Sequence, residues 1–348
     1  LLADTSLIRK TVQAELQETK AAYDTPRRTV LSRATATPPR AATAPENFQI
    51  SDSACQVLVS ASGMAGRIDS SDKPGAQAKR SPHDALLASL DTRVRGSLGA
   101  ITSAGILHVF SPMDLPVLDQ KTPKLGQGTS LKSYLGLGPA DGSLLAVVNL
   151  EDAPVLALGT QRGVVKRVSL AEFPDRPHHT LISLKDGDTV VGAAPAPEDH
   201  HVVFVTTRGA LLNFPAHLVR PQGLAAGGMQ GMSVPEDGAV LAMTAVLREK
   251  ATVITLSGST EVLPGTESQR AKRTALTEFP VTGRATSGVR AHSFLKGEDA
   301  LTTAYVGYSP LAMGPRGQAV ELPVELAKRD ASGTVLEGSV SAMGEQLS

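Results

Sequence analysis

The spacing of apolar residues changes character twice along the 348-residue chain. From Asp4 to about Tyr23 they recur at Ile8, Val12, Leu16 and Tyr23, the period of one helix face. Asp4 is placed to cap the start, and Lys10, Gln13, Glu18 and Lys20 fall on the other side. A single amphipathic helix of this length does not fold alone, so its apolar stripe needs a partner surface. Between Ser32 and Asn47 the pattern disappears. These sixteen residues include five Ala, three Thr and three Pro but no Leu, Ile, Val or aromatic residue, the composition of a linker. From Phe48 onward the period shortens to β-type runs broken by Gly and Pro, such as Val202-Val203-Phe204-Val205 and Thr252-Val253-Ile254-Thr255-Leu256. The expected organisation is a helical segment over 1–31, a linker over 32–47 and an all-β domain over 48–348. The chain begins Leu1-Leu2 rather than Met and shows no signal-peptide pattern, which predicts a piece whose start lies upstream.

The β-type runs repeat. Six times a run ends in a short turn at glycine and a second run follows, at Gly63, Gly105, Gly163, Gly209, Gly258 and Gly317. Glycine suits such hairpin turns because it reaches positive φ without a Cβ clash. The spacings average near 51 residues, and two copies share more than the turn. Lys166-Arg167-Val168-Ser169-Leu170-Ala171-Glu172-Phe173-Pro174 matches Lys272-Arg273-Thr274-Ala275-Leu276-Thr277-Glu278-Phe279-Pro280 at an offset of 106 residues, two repeat units. Weaker echoes stand at Asn213-Phe214-Pro215 and Glu321-Leu322-Pro323. A β-rich unit of this length present six times predicts the blades of a propeller-like closed array. A pair of β-sandwiches with coincidental glycines is the alternative, which the duplication disfavours.

Composition narrows the function classes. One cysteine excludes a disulfide framework and any CxxC zinc or redox site. The longest apolar runs, such as Leu144–Val148, are far too short to span a bilayer. Lys+Arg and Asp+Glu are equal at 34 each, Trp is absent and aromatics make up 3%. That balance argues against a nucleic-acid binder that works by bulk charge or base stacking.

The segment Gly159-Thr160-Gln161-Arg162-Gly163-Val164-Val165-Lys166-Arg167-Val168-Ser169-Leu170-Ala171-Glu172-Phe173 resembles the blade motif in the C-terminal domain of bacterial type IIA topoisomerase A subunits, those of DNA gyrase and DNA topoisomerase IV. The stretch from Ile8 to Glu15-Leu16, followed by Tyr23-Asp24-Thr25-Pro26-Arg27-Arg28-Thr29, is similar to the helix and RRT signature that close that family's breakage-reunion core. The resemblance implies a short α-helical segment followed by a six-bladed β-pinwheel whose rim binds and bends duplex DNA for a cleavage core elsewhere on the polypeptide. It further implies no catalytic residue, metal or cofactor in this chain. ATP and Mg would sit on the partner B subunit, the full-length A subunit would be a homodimer, and the location would be cytoplasmic and nucleoid-associated, without membrane. Tyr23, Tyr134, Tyr305 and Tyr308 do not match the context of the family's catalytic tyrosine. The sequence departs from gyrase after the first hairpin, where Lys73-Pro74-Gly75-Ala76-Gln77-Ala78-Lys79-Arg80 replaces the Gln-Arg-Arg-Gly-Gly-Lys-Gly box. That favours a topoisomerase IV-like role, with a diverged gyrase as the alternative.

Duplex DNA that is bent without being read by sequence is held through its phosphates, a task for Arg and Lys in an arc. Arg162, Arg208 and Arg316 immediately precede turn glycines, and Lys166-Arg167 and Lys272-Arg273 follow the turn. Arg93, Arg95, Lys124, Arg284 and Arg329 precede later glycines, and Lys79, Arg80, Arg220 and Arg290 complete the candidate DNA-binding set. Residues 48–348 carry 27 basic and 29 acidic side chains, a net of −2, so binding would depend on segregated charge and fall steeply with salt. His178-His179 and His200-His201 read as solvated loop residues rather than metal ligands, and Cys55, beside Val57 and Val59, reads as core. Two other classes compete. A protein-interaction propeller is disfavoured by the absence of Trp-Asp repeats, and a propeller enzyme by the absence of a recurring inward acid, base or ligand set.

Overall fold

The computed structural model describes residues 5–25, 51–70, 79–152, 154–171, 176–259 and 269–347. The chain divides into two units, 1–50 and 51–348. In the first, Thr5–Tyr23 is one α-helix with none of its side chains buried, and Leu7, Ile8, Val12, Leu16 and Tyr23 are exposed. Asp4, the Arg27-Arg28-Thr29 signature and the linker lie outside the described residues.

The second unit is the six-bladed β-pinwheel. Its hairpins are Ala54–Ser60 with Met64–Ile68, Leu98–Thr102 with Ile106–Phe110, Val155–Thr160 with Val164–Ser169, His201–Thr206 with Ala210–Pro215, Thr252–Gly258 with Arg270–Ala275, and Pro310–Met313 with Ala319–Val320. These define blades 1 to 6. In each blade the first hairpin strand also pairs with an inner strand that follows: Leu86–Arg93, Leu144–Asn149, Val190–Pro195, Val240–Val246, Ala300–Gly307 and Ala342–Glu345. The inner strands contact one another in order and close on themselves. They enclose a channel of about 340 Å³ lined by small and apolar residues such as Leu145, Ala146, Ala193, Ala242 and Val306.

The hairpin strands are continuous apolar runs for a geometric reason. Successive side chains of a strand point to opposite faces, and here a different blade covers each face. Val202 and Phe204 of blade 4 pack with Ala157 and Val165 of blade 3, whereas Val203 and Val205 pack with Val253, Leu276 and Phe279 of blade 5. Ile254 and Leu256 in turn join Ala312 and Val320 of blade 6. Full burial of a side chain such as Phe204 contributes roughly 1.5–3 kcal/mol relative to exposure.

The turns share a local device. Gly63, Gly105, Gly163, Gly209 and Gly317 all have φ between +71° and +82°. A hydroxyl three residues earlier reaches across the turn: Ser60 Oγ accepts from the Met64 N–H at 3.0 Å, Thr160 Oγ1 from Val164 at 3.2 Å and Thr206 Oγ1 from Ala210 at 3.1 Å. Gly258 is the exception to the expected turn glycines. It is the last residue of its strand, opposite Ala300, and a longer connection separates it from Arg270.

A fourth, outer strand interlocks neighbouring blades. Thr129–Ser130, His178–Thr180, Met229–Gln230, Val289–Arg290 and Thr334–Val335 each pair with the second hairpin strand of one blade but arrive from the chain that follows the next hairpin. We call the segment leading to each outer strand a strap. Blade 6 has no outer strand among the described residues.

Candidate nucleic-acid interface

The most conspicuous sequence signal, the duplicated Lys-Arg pair, is interior. Lys166, Arg167 and Lys272 are 0%, 1% and 2% exposed, which removes them from the candidate DNA surface. They occupy the second hairpin strands of blades 3 and 5, and both faces of those strands are covered. The Lys166 ammonium donates to the carbonyls of Leu224 and Ala226 at 2.9 and 2.8 Å, on the strap arriving from blade 4. Lys272 does the same to the strap from blade 6, donating to Arg329 and to Ala331 at 3.1 Å, and it also donates to Ala291, just past the outer strand Val289–Arg290. Arg167 donates to Ala216 and Val219 at 3.2 and 3.0 Å and to Ala196 at 2.9 Å. Arg273 is half-buried in the equivalent place. Burial pushes both lysine amines down to about 8, because the charged form loses hydration; for Lys272 the Asp330 carboxylate opposes this without offsetting it.

Arg80 is likewise a structural residue. Its guanidinium donates twice to Asp84 at 2.8 Å, and to the carbonyls of Ala312 and Val320 at 2.7 and 3.1 Å. Arg329 is half-buried, and its carbonyl serves Lys272.

The remaining candidates are exposed: Lys79, Arg93, Arg95, Lys124, Arg162, Arg208, Arg220, Arg284, Arg290 and Arg316. Arg93 is engaged by Asp52 at 2.8 Å, which holds that carboxyl below its usual range, and Arg208 is engaged by Asp237. The other eight make no ion pair among the described residues.

Two groupings follow from the repeat. Arg162, Arg208 and Arg316 take the same turn position in blades 3, 4 and 6, so they face outward from the same end of their hairpins. On blade 4, Arg290 pairs across the ladder with Ala210, close to Arg208. Both arginines line a groove of about 580 Å³ with Ser233, Ser287, Gly288 and Ser293. Guanidinium groups beside hydroxyls and a glycine backbone form an anion-accepting surface.

Two structural cations were missed. Arg67 donates to the carbonyls of Pro112, at 3.1 Å, and Met113, as Arg167 does in blade 3. Its signal was present, since it stands four residues after Gly63 as Arg167 stands after Gly163. Arg248 reaches the carbonyls of Thr277 and Phe279 at 3.0 and 3.2 Å from outside the repeat register, and nothing in the sequence marked it. Cys55 is buried, which pushes its thiol up. His178 and His179 lie on an outer strand opposite His108 and Leu107. His201 bonds Asn213 at 2.7 Å.

The family model described as DNA gyrase C-terminal domain, beta-propeller, matches residues 155–197, 200–246 and 265–306, which correspond to blades 3, 4 and 5. The A subunit of DNA gyrase from Mycobacterium bovis is 30% identical over 194 residues, 54% of this chain and 22% of the relative. Its counterpart from Chlamydia muridarum is 26% identical over 310 residues, 84% of this chain and 35% of the relative. The chain thus spans about a fifth to a third of these relatives. A crystal structure of the C-terminal domain of DNA topoisomerase IV superposes with a TM-score of 0.63 at 18% identity, covering 84% of this chain and 93% of that one. A structure of the DNA gyrase A C-terminal domain gives 0.58 at 17%, covering 84% and 99%. Sequence motif, blade repeat, strand exchange and these likenesses agree: blades 3 to 5 match the DNA gyrase C-terminal domain family, and the pinwheel shares the fold of the C-terminal domains of DNA topoisomerase IV and DNA gyrase A.

Proposed function

We propose that the pinwheel holds duplex DNA by its phosphates along the ring's edge and presents it, bent, to a cleavage core on the same polypeptide. The observation that carries this reading is a set of exposed arginines, free of ion pairs among the described residues: Arg162 and Arg316 at equivalent turns of blades 3 and 6, and Arg284 and Arg290 on the strap and outer strand that pass from blade 5 to blade 4. Phosphate contact needs no aromatic platform, so the absence of Trp is no obstacle. The near-balance of charge in 48–348 makes the grip modest and salt-sensitive.

In this reading residues 1–31 end the breakage-reunion core and 32–47 link it to the pinwheel. The complete protein works as the A subunit of an ATP-dependent type II topoisomerase, as a homodimer with B subunits that carry ATP and Mg, in the cytoplasm on the nucleoid. Loop 73–80 keeps basic residues without the gyrase box, which supports relaxation and decatenation in the manner of topoisomerase IV. The gyrase alternative draws support from the gyrase A relatives. Efficient ATP-dependent negative supercoiling by the complete enzyme would decide for gyrase.

The DNA role is tested by duplex affinity against salt. Changing Arg162, Arg284, Arg290 and Arg316 together to Ala should make the plot of log K against log salt shallower by about 3 to 4, at roughly 0.9 for each phosphate no longer neutralised. Undetectable binding by the intact protein at low salt, or an unchanged slope in the variant, would sink it.

A further inference from the structure

The repeat makes positions in different blades comparable. The residue after an outer strand donates its N–H to the turn carbonyl of the blade that strand joins: Leu131 to Gly63 at 2.8 Å, Leu181 to Gly105 at 2.8 Å, Gly231 to Gly163 at 2.9 Å and Ala291 to Gly209 at 2.7 Å. Counting from these bonds, three positions flank each turn. They are the residue before the turn glycine, the last residue of the outer strand, and the third residue after the donor. Blade 1 has Ser62, Ser130 and Tyr134 there, and blade 2 has Ala104, Thr180 and Leu184. Blade 3 has Arg162, Gln230 and Val234, whereas blade 4 has Arg208, Arg290 and Phe294. Of these four turns, blade 4 alone unites two cations with an aromatic ring. The other ring, Tyr134, stands beside two serines, and its hydroxyl is spent on the Ser111 carbonyl at 3.0 Å.

The same turn borders the groove of about 580 Å³, a volume within the range of small-molecule sites, roughly 300–1,000 Å³. Arg290 is the cross-strand partner of Ala210, two residues beyond Arg208. Phe294 is half-buried and packs on the core shared by blades 4 and 5. The missing side chain of Gly209 is what admits its ring, since a Cβ there would stand 3.2 Å from Phe294 Cζ. His292 tilts beside that ring, with centroids 5.5 Å apart. Met232, Pro235 and Val289 extend the apolar side of the groove, and the exposed serines 233 and 287 its polar side.

We propose that this groove binds a free nucleoside phosphate, with the phosphate on Arg208 and Arg290 and the base against Phe294. Guanidinium groups match phosphate oxygens two at a time, and every base has a face that stacks on an aromatic ring. Duplex DNA answers only the first half of the site, because its bases lie stacked inside the helix. Asp237 pairs with Arg208, but an ion pair between exposed side chains is weak, and a phosphate dianion competes for the guanidinium. The site goes beyond the duplex reading in needing Phe294, which phosphate contact along the ring's edge does not use; Arg290 serves both.

The test uses the full chain without DNA, titrated by calorimetry with adenosine 5′-monophosphate. One molecule should bind per chain. Ribose 5-phosphate and adenosine, which each lack one half of the ligand, should bind about tenfold more weakly. Phe294→Leu, which installs the residue type of Leu184 in blade 2, should weaken the nucleotide about fivefold and leave ribose 5-phosphate unchanged. Arg290→Ala should weaken both, whereas Lys121→Ala, an exposed cation elsewhere on the ring, should match the parent. Absence of saturable binding by the folded parent would overturn the proposal. So would equal affinity for the nucleotide and ribose 5-phosphate, or an unchanged nucleotide affinity in Phe294→Leu. A short 5′-phosphorylated single strand that binds about tenfold tighter than the nucleotide, with the same dependence on Phe294, would also overturn it by making the groove a strand site. The salt dependence of duplex binding should be the same in Phe294→Leu as in the parent, so the nucleotide site and the duplex reading stand or fall separately.

Discussion

Blades 3 and 4 have the same strand order and the same exchange of outer strands, yet they hold their straps differently. In blade 3 the third residue of the second hairpin strand is Lys166, and it draws down the strap over 219–230 by two carbonyls. In blade 4 the equivalent residue is Leu212, buried among apolar neighbours, and the strap over 280–290 receives no side-chain donor from it. What remains there is backbone: Ser233 donates to Thr286 at 2.9 Å, as Ser183 donates to Ala226 at 3.3 Å in blade 3. The consequence shows in the straps. Residues 223–227 alternate between exposed and half-buried, whereas 283–287 are all exposed and include Ala285 at φ +66°. The strap that Lys272 clamps also alternates, over 327–330. In blades 3 and 5 a buried lysine thus accompanies a strap that lies closely on its blade, and the strap of blade 4, which lacks one, carries Arg284 and Arg290.

Removing the buried donors gives the largest expected effects. Arg167→Leu leaves the carbonyls of Ala196 and Val219 without their guanidinium partner in a dry site, and each such loss costs on the order of 1–3 kcal/mol. A destabilisation of roughly 3 kcal/mol should appear as a lower urea midpoint with unchanged slope. A loss under 1 kcal/mol would mean that water enters and replaces the guanidinium.

Lys166→Met is expected to cost less, about 1–2 kcal/mol, because an apolar side chain of similar length also escapes the penalty of burying an ammonium. Its mark should be local, with faster amide exchange over 219–230 and little change over 280–290. DNA salt dependence should hold its slope, since Lys166 touches no solvent. A shallower slope would return this residue to the DNA surface and break the contrast between blades.

The two lysines also predict a pH signature. Their folded-state pKa of about 8 lies below the ordinary 10.5, so the folded protein binds fewer protons than the unfolded chain in that interval. The burial penalty is then full below about 8 and is relieved as pH rises toward 10.5. The stability advantage of the parent over Lys166→Met/Lys272→Met should widen between pH 7.5 and pH 9.5, other titrating groups cancelling in the difference. A constant difference would show that the carbonyls hold both amines protonated throughout.

The parts of this architecture that depend on neighbouring residues were legible in the sequence. The turns at Gly63, Gly105, Gly163, Gly209 and Gly317 announced themselves, and the hydroxyl three residues before four of them was an unread part of the same signal. Gly258 misled because it sits next to a longer connection. Outer strands such as Val289–Arg290 are two residues long and take their place from a hairpin some eighty residues earlier, so no local pattern marks them. The Lys-Arg duplication was visible as a repeat and misread as a surface. A cation bound by carbonyls meets only backbone groups, which every residue carries, so the side-chain pattern around it gives no sign of burial. Arg162, Arg284, Arg290 and Arg316 kept the exposure that a DNA contact needs because no such cage forms around them.

The smallest expected effect separates cause from correlation. If the lysine sets the strap, then Leu212→Lys should place an ammonium where blade 4 lacks one, within reach of the strap carbonyls that correspond to Leu224 and Ala226. Loss of apolar burial and the desolvation of the ammonium nearly cancel against two charge-assisted hydrogen bonds, so stability should move by no more than about 1 kcal/mol. Exchange over 283–287 should slow severalfold as that strap takes up the alternating burial of its clamped counterparts. Duplex binding should weaken slightly if Arg284 needs the freedom of the unclamped strap. A drop of several kcal/mol with strap exchange unchanged would show the reverse order of causes: the path of each strap is fixed by its own residues, Ala285 among them, and the lysine occupies a cage that the strap has already built.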